Sequence, residues 1–375
     1  MRMCLAEQRT FDEMRMLECL TLAKGGAGFV SPNPMVGAVI VKNGKIVGRG
    51  DHRKFGGTHA EVFALRQAGG RARGATLYVN LEPCCHFGKT PPCTDTIIRA
   101  KITSVVIGTR DPNPIIAGRG IQKLRRAGVR VEVGVLEEEC RNLNEVFFKF
   151  ITKKIPFVVV KVAQTLDGHI ADSEGNSKWI TNIDSRQLVH SLRARYDAVL
   201  VGAKTIAKDN PRLTVRNLPG RNPFRIVLDG KLTSPMSAKI FRDRDRKKTI
   251  IFTSTKSAKR KVKDVRKLRK AGVQVLEVHA NDNLRIFPRQ ILRQLAKMNI
   301  ASILVEGGTE VFTEFIAEKS TDKIIFFVSP KLFGSGLKAF SPKSQSHIAS
   351  MVQLQRVHSW NMHGDIVIEG YLHKK

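Results

Sequence analysis

The sequence predicts two successive α/β domains, and three observations predict it. Apolar runs of strand length alternate with amphipathic runs of helix length through both halves of the chain. That alternation pauses at Lys153-Lys154-Ile155-Pro156 and then begins afresh. The length, 375 residues of which 42% are hydrophobic, suits two or three well-filled cores. A first domain over residues 1–152 and a second over 156–375 follow.

The elements can be taken in order. Phe11, Met14, Leu17, Leu20, Leu22 and Ala23 recur at helical spacing, which predicts a helix over 11–27 ending at Gly25-Gly26. Ser31-Pro32-Asn33-Pro34 reads as an extended turn, because each proline restricts the residue before it. Residues 36–42 and 45–50 read as strands joined by Asn43-Gly44, a hairpin pair. A helix over 59–69 carries His59 and Glu61 in its first turn. A strand over 75–84 runs into a cysteine loop, and a helix over 93–100 starts at Cys93. A strand over 104–112, a helix over 120–128, a strand over 129–135 and one last helix over 137–152 complete the first domain. In the second, a strand and turn occupy 156–168, and a capped helix and a strand lie within 179–206. Further strands are expected at 225–230, 249–254, 273–278, 302–308 and 323–330.

Charge and cysteine usage narrow the setting. Lysine and arginine number 64 against 33 acidic residues, a formal net charge of +31. A nucleic-acid surface is one reading of that excess. The densest stretch, Arg242–Lys270, holds Phe252 as its only aromatic residue, so base stacking is poorly served. A solvated basic face, or steering of small phosphorylated ligands, fits better, and no nucleic-acid partner is expected. No apolar run is long enough for a membrane span. The first 25 residues are charged throughout and do not read as a secretory signal. Six cysteines without framework spacing point to a cytoplasmic protein that binds metal rather than forming disulfides.

The most informative cluster is His59-Ala60-Glu61, followed by Cys84 and Cys93. A histidine and two thiols can hold Zn²⁺ through three ligands and leave a fourth position for water. Glu61, two residues from His59, is placed to carry a proton from that water to a departing amine. These are the parts of a zinc deaminase. Cys85 is a rival ligand, although adjacent side chains seldom face one metal. His86 could close the site as a fourth ligand, which would make it structural.

The second half carries weaker marks. Glu306-Gly307-Gly308 follows a strand and precedes a helix, so backbone N–H groups can approach a phosphate. Arg193 and Arg216 offer forks that match phosphate geometry, or are plain surface arginines. Lys161 and Glu306 stand in apolar strands, where a charge is costly unless it serves a site. Trp179 could pack on a ligand ring or in a core. Asp209 could hold a ribose hydroxyl or simply make a turn.

The combination says more than its parts. SPNPMVGAVIVKNGKIVGRG (31–50), THAEVFALRQAG (58–69) and NLEPCCHFGKTPPC (80–93) are followed by DPNP and AGRG (111–120). KVAQTLDG (161–168), SKWIT (177–181), LRARYDAVLVGAKT (192–205), DNPRLTVR (209–216) and LVEGG (304–308) come next. In this order they resemble the bifunctional deaminase–reductase family of riboflavin biosynthesis, over about residues 11 to 370. The eight residues between Cys84 and Cys93, in place of the two common in deaminases, are similar to the riboflavin-pathway form. The resemblance implies a cytidine-deaminase-like three-layer domain followed by a dihydrofolate-reductase-like α/β domain. It implies zinc-dependent deamination of 2,5-diamino-6-ribosylamino-4(3H)-pyrimidinone 5′-phosphate, then NADPH-dependent reduction of the ribosyl group to ribityl. It also implies site residues. His59, Cys84 and Cys93 would bind Zn²⁺, with Glu61 as proton carrier, and Asn33 and His86 would touch the substrate. Lys161 would be catalytic in the second domain, with Ser177, Arg193, Leu213, Arg216 and Glu306 at the substrate. Gln164, Trp179, Thr205, Asp209, Gly307 and Gly308 would surround NADPH. A homodimer would be unsurprising. Cys85 and Gly230 stand where the family often carries serine, and Gln164 where it carries a small residue.

Overall fold

The computed structural model describes residues 5–87, 91–341 and 351–372, with the side chains of Leu5 and Ala6 left aside. It divides into two compact units, Met1–Lys154 and Ile155–Lys375.

The first unit comprises α1 (Leu5–Ala23), β1 (Gly37–Lys42), β2 (Lys45–Asp51), α2 (Ala60–Ala68), β3 (Thr76–Leu81) and α3 (Cys93–Arg99). β4 (Ser104–Thr109), α4 (Arg119–Arg126), β5 (Arg130–Val133), α5 (Glu137–Leu143) and α6 (Glu145–Lys153) follow. The strands form one sheet in the order β2-β1-β3-β4-β5. β1 pairs antiparallel with β2 and β3, while β3, β4 and β5 run parallel. Alternation along β1 divides the core: Ala38 and Ile40 face one cluster, with Ala60, Ala64, Ile97 and Leu124. Val39 and Val41 face the other, with Met16, Cys19, Leu20 and Cys140. Helices on both faces of a sheet make the three layers expected. α2 seats tightly because β2 carries Gly50, where a Cβ would stand 2.0 Å from the Ala60 carbonyl.

Three local expectations change. The first helix begins at Leu5 rather than 11 and gives way at Ala23 to a 3-10 turn, Lys24–Gly26. His59 is the N-cap of α2, with extended backbone, rather than part of its first turn. The last helix breaks at Asn144, which is 2% exposed. Its amide accepts from Met35 N–H at 2.8 Å and donates to Met35 C=O at 2.9 Å. A side chain spent on a distant backbone in this way outweighs helical continuity.

The second unit begins with β6 (Phe157–Thr165), β7 (His169–Ala171), α7 (Ile183–Arg195), β8 (Ala198–Gly202), α8 (Ala203–Asp209) and β9 (Phe224–Leu228). α9 (Lys239–Arg242), β10 (Thr249–Ser254), α10 (Thr255–Arg260), α11 (Val262–Lys270) and β11 (Gln274–Val278) come next. α12 (Pro288–Lys297), β12 (Ser302–Val305), α13 (Thr309–Ala317), β13 (Lys323–Ser329), β14 (Leu337–Lys338), β15 (Gln355–Met362) and β16 (Asp365–Tyr371) close the unit. Nine strands form the main sheet, in the order β11-β10-β9-β8-β12-β6-β13-β16-β15. From β11 through β13 every pairing is parallel, and β16 turns antiparallel. Val158, Val160, Val162, Ala198, Leu200, Ile303 and Val305 share one buried cluster. Such continuous apolar strands are expected where helices cover both faces. The basic stretch is ordered structure: β10 is wholly buried, and α10 and α11 carry most of the charge outside it. No helix among the described residues is long and apolar enough to cross a membrane.

Candidate active sites

The first site forms where α2 and α3 begin. His59 Nδ1 lies 3.2 Å from Cys93 Sγ and 3.6 Å from Cys84 Sγ. The three donor atoms fall within 4.8 Å of one another. The Cys93 N–H, at the start of α3, donates to Cys84 Sγ at 3.3 Å. Hydrogen bonding from the Cys93 thiol pulls the Cys84 thiol down to about 4; His59 and the Cys93 N–H help, and burial opposes. One imidazole nitrogen and two sulfurs at this spacing fit tetrahedral Zn²⁺. No fourth His, Cys, Asp or Glu among the described residues joins them, so His86 and Cys85 stand outside the cluster. Glu61 is 3% exposed in the first turn of α2. Burial pushes its carboxyl above the usual range, against the pull of His59.

A shell of polar side chains holds this cluster. His52 packs edge-on against His59, with ring centroids 5.4 Å apart. Burial holds His52 below the usual histidine range, so its ring is neutral. Nδ1–H donates to the Thr58 carbonyl at 3.0 Å, which leaves Nε2 to accept from the Asn33 amide at 3.3 Å. Asn80 grips Gly37 N–H at 2.8 Å and Met35 C=O at 3.0 Å, so Asn33 sits on a segment clamped by two asparagines. Glu82, 3% exposed, accepts N–H bonds from Asp111, Gly118, Gly120 and Ile121 at 3.0 to 3.2 Å. It thereby ties the cysteine loop to the start of α4.

The second constellation gathers at the C-terminal ends of β6, β8 and β12, where open α/β sheets bind ligands. Glu306 leaves β12 and donates its N–H to Leu200 C=O at 2.9 Å. Its carboxylate takes Arg193 Nε and Nη2, each at 2.6 Å, in a buried bidentate pair. Lys161 lies beside that pair, its ammonium 5.4 Å from the Phe327 ring centroid. Burial holds Lys161 below the usual lysine range, while Glu306 opposes that shift. Leu213 is buried at φ 54°, a strained conformation for a branched side chain, and turns the loop that leads to Arg216. At Gly307 a Cβ would stand 2.5 Å from Val201 Cα, so the turn lies directly on β8. A Cβ at Gly308 would be 3.5 Å from Thr205 Oγ1. This bare backbone cradle at the head of α13 fits a dinucleotide phosphate. Trp179 is 69% exposed, with the Arg186 guanidinium 4.5 Å above its ring, so it is no core residue. Ser177 donates to Asp209, whose carboxyl is raised by burial and drawn back by Lys178.

Comparison with known proteins bears directly on both sites. The profile of the RibD C-terminal domain matches residues 156–368, and that of the cytidine and deoxycytidylate deaminase zinc-binding region matches 9–109. The riboflavin biosynthesis protein RibD of Aquifex aeolicus is 50% identical over 88% of this chain and 90% of its own length. The chain belongs to the RibD family. RibD of Synechocystis is 42% identical over 96% of each chain. The Thermotoga maritima RibD-type structure, a deaminase/reductase, superposes with a TM-score of 0.86 at 43% identity, covering 98% of this chain and all of the other. RibD from Acinetobacter baumannii gives 0.87 at 34% identity. RibD is the bifunctional deaminase and reductase of riboflavin biosynthesis, with a zinc-binding deaminase region and an NADPH-using reductase domain.

Within this RibD fold His59, Cys84 and Cys93 lie together in the first unit, and Lys161, Arg193 and Glu306 lie together in the second. Two features refine them. Arg193, expected at the phosphate, has its fork engaged by Glu306. At Gly230 a Cβ would meet the Leu284 carbonyl at 1.9 Å, so the serine expected there has no room. Sequence reasoning missed His52 and Glu82. Glu82 precedes the Pro-Cys pair, and its burial is the only signal that could have marked it.

Proposed function

We infer that the residues gathered in the two sites perform the two RibD reactions in order. The observation that carries this reading is the His59–Cys84–Cys93 cluster, with buried Glu61 beside it, in a chain whose second unit is a RibD reductase domain. The proposed ligands of Zn²⁺ are His59, Cys84 and Cys93. Zinc, when bound, makes water nucleophilic at neutral pH. Glu61 takes a proton from that water at a carboxylate oxygen and delivers it to the amino nitrogen of the pyrimidine, which leaves as ammonia. Burial suits Glu61 to hold the proton between the two events. Asn33, fixed by His52, and His86 orient the base.

The substrate proposed for the second unit is the deaminated ribosylamino-uracil phosphate. NADPH supplies the hydride. Lys161 supplies a proton to the sugar oxygen released as the ribosyl ring opens, and its lowered basicity favours that transfer. Glu306 favours the charged form of Lys161 electrostatically, and Arg193 holds Glu306. Gln164, Trp179, Thr205, Asp209 and the Gly307-Gly308 turn are proposed to line the cofactor, with Ser177, Leu213 and Arg216 nearer the substrate. We propose a deaminase over 1–152 and a reductase over 156–375. The five described cysteines are free, which favours a cytoplasmic setting. A homodimer is the assembly we propose, supported by the exposed edge strand β15, with sedimentation as its check.

The test is a paired assay on zinc-loaded protein given the diaminopyrimidine ribosyl phosphate and NADPH. Ammonia release followed by equimolar NADPH loss is expected. NADPH loss without prior ammonia would refute the order.

A further inference from the structure

Trp179 is one of two tryptophans in the chain, and the other, Trp360, lies on β15. The Trp179 indole is largely exposed, yet its backbone is held at φ 68°. A bulky side chain adopts that left-handed conformation only where its surroundings fix it. Two cations do the fixing. Lys331 Nζ donates to the carbonyls of Trp179 and Ile180, at 2.8 and 2.9 Å. Arg186, near the start of α7, donates from Nη1 to the next carbonyl, that of Thr181, at 2.6 Å. Three successive carbonyls just ahead of α7 are thus each taken by a side-chain cation. The same Arg186 guanidinium stands 4.5 Å from the indole centroid, so one ring face is covered and the opposite face is left for a ligand.

Lys331 is itself anchored. Its carbonyl accepts from Leu166 N–H at 2.9 Å, directly after β6. Two residues before it, Ser329 of β13 pairs with Thr165 of β6. Two residues after it, Phe333 N–H donates to Asp167 Oδ2 at 2.9 Å, and Gly334 N–H does so at 2.7 Å. β6 also carries Lys161. A continuous run of hydrogen bonds therefore registers the indole to the strand that bears the proposed proton donor.

We infer that Lys331 and Arg186 are positioning residues that hold Trp179 as a preformed platform, and that the dinucleotide stacks on the indole face opposite Arg186. The inference rests on the reading of Trp179 as a cofactor residue. Neither cation has to touch the cofactor. An exposed indole on an irregular segment would otherwise lose backbone and rotamer freedom on binding, and that ordering weakens affinity. Here the segment is ordered before the cofactor arrives.

The experiment uses the full-length protein, NADPH and 5-amino-6-(5-phosphoribosylamino)uracil. Lys331→Met keeps the side-chain length and removes the donor. KM for NADPH should rise about tenfold, the scale of a lost hydrogen bond from a charged group, while KM for the uracil stays as it was. Lys331→Arg, which can still donate to two carbonyls, should recover most of the loss. In a Trp360→Phe background Trp179 is the sole tryptophan. Its fluorescence anisotropy without cofactor should fall in Lys331→Met and in Arg186→Met. In Trp179→Leu protein, Lys331→Met should have little further effect on KM for NADPH, because the group it positions is gone. Unchanged anisotropy, an undiminished effect in the Trp179→Leu protein, or a lower melting temperature with KM for NADPH unchanged would overturn the inference. An unchanged KM for NADPH in Trp179→Leu itself would instead overturn the cofactor reading beneath it.

Discussion

Glu61 and Gly230 show how much one side chain, or its absence, can decide. Glu61→Gln keeps the volume and removes the transferable proton. Ammonia release should fall by about a thousandfold, the range of a lost general acid–base. Metal analysis should still find zinc, because Glu61 is outside the three-donor group. Unchanged ammonia release would remove Glu61 from the mechanism. Gly230→Ser places a Cβ against the Leu284 carbonyl. It should cost about 1–3 kcal/mol of stability and bring no gain in NADPH affinity, readable from denaturant melts and cofactor titration. His59, Glu61, Cys84 and Cys93 were legible because their chemistry demands those residue types at close spacing. His52 and Glu82 were not, because each acts through a neighbour that only the folded chain supplies.

Elements were legible where a single period dominates. The hairpin at Asn43-Gly44 (φ 49° and 74°) and the strand at Thr249–Ser254 fall where pattern and turn chemistry placed them. β15 escaped notice because almost every residue in it is exposed, so no alternation of burial marks the sequence. The Asn144 break escaped because a distant backbone caused it. The loop after β4 has its own signature. Burial raises the Asp111 carboxyl from 3.8 to about 7, with Glu82 and Cys84 adding to the effect and the Asn113 N–H bond opposing. Between those values the folded state holds more protons than the unfolded state, so stability falls as pH rises from about 4 to about 7. Asp111→Asn keeps an acceptor for Asn113 and should flatten that dependence. Parallel melting curves for the two proteins would rule the assignment out.

At the scale of the whole molecule, two sites in two compact units should respond independently. Treatment with a zinc chelator is expected to abolish ammonia release while NADPH oxidation continues on supplied uracil intermediate. Loss of both activities, with the second unit still folded by circular dichroism, would contradict that independence. The sheet order carries a consequence for synthesis. β6 is the first strand made in the second unit, yet its two partners are β12 and β13, which begin at residues 302 and 323. At ribosomal speeds the wait is on the order of ten seconds. Through that interval the bare Val158–Val162 run must be shielded by a chaperone or by transient collapse. The first unit is complete before the wait begins, since β1, β2 and β3 are near neighbours in sequence. The deaminase unit can therefore be finished on the ribosome while the reductase unit is still being translated.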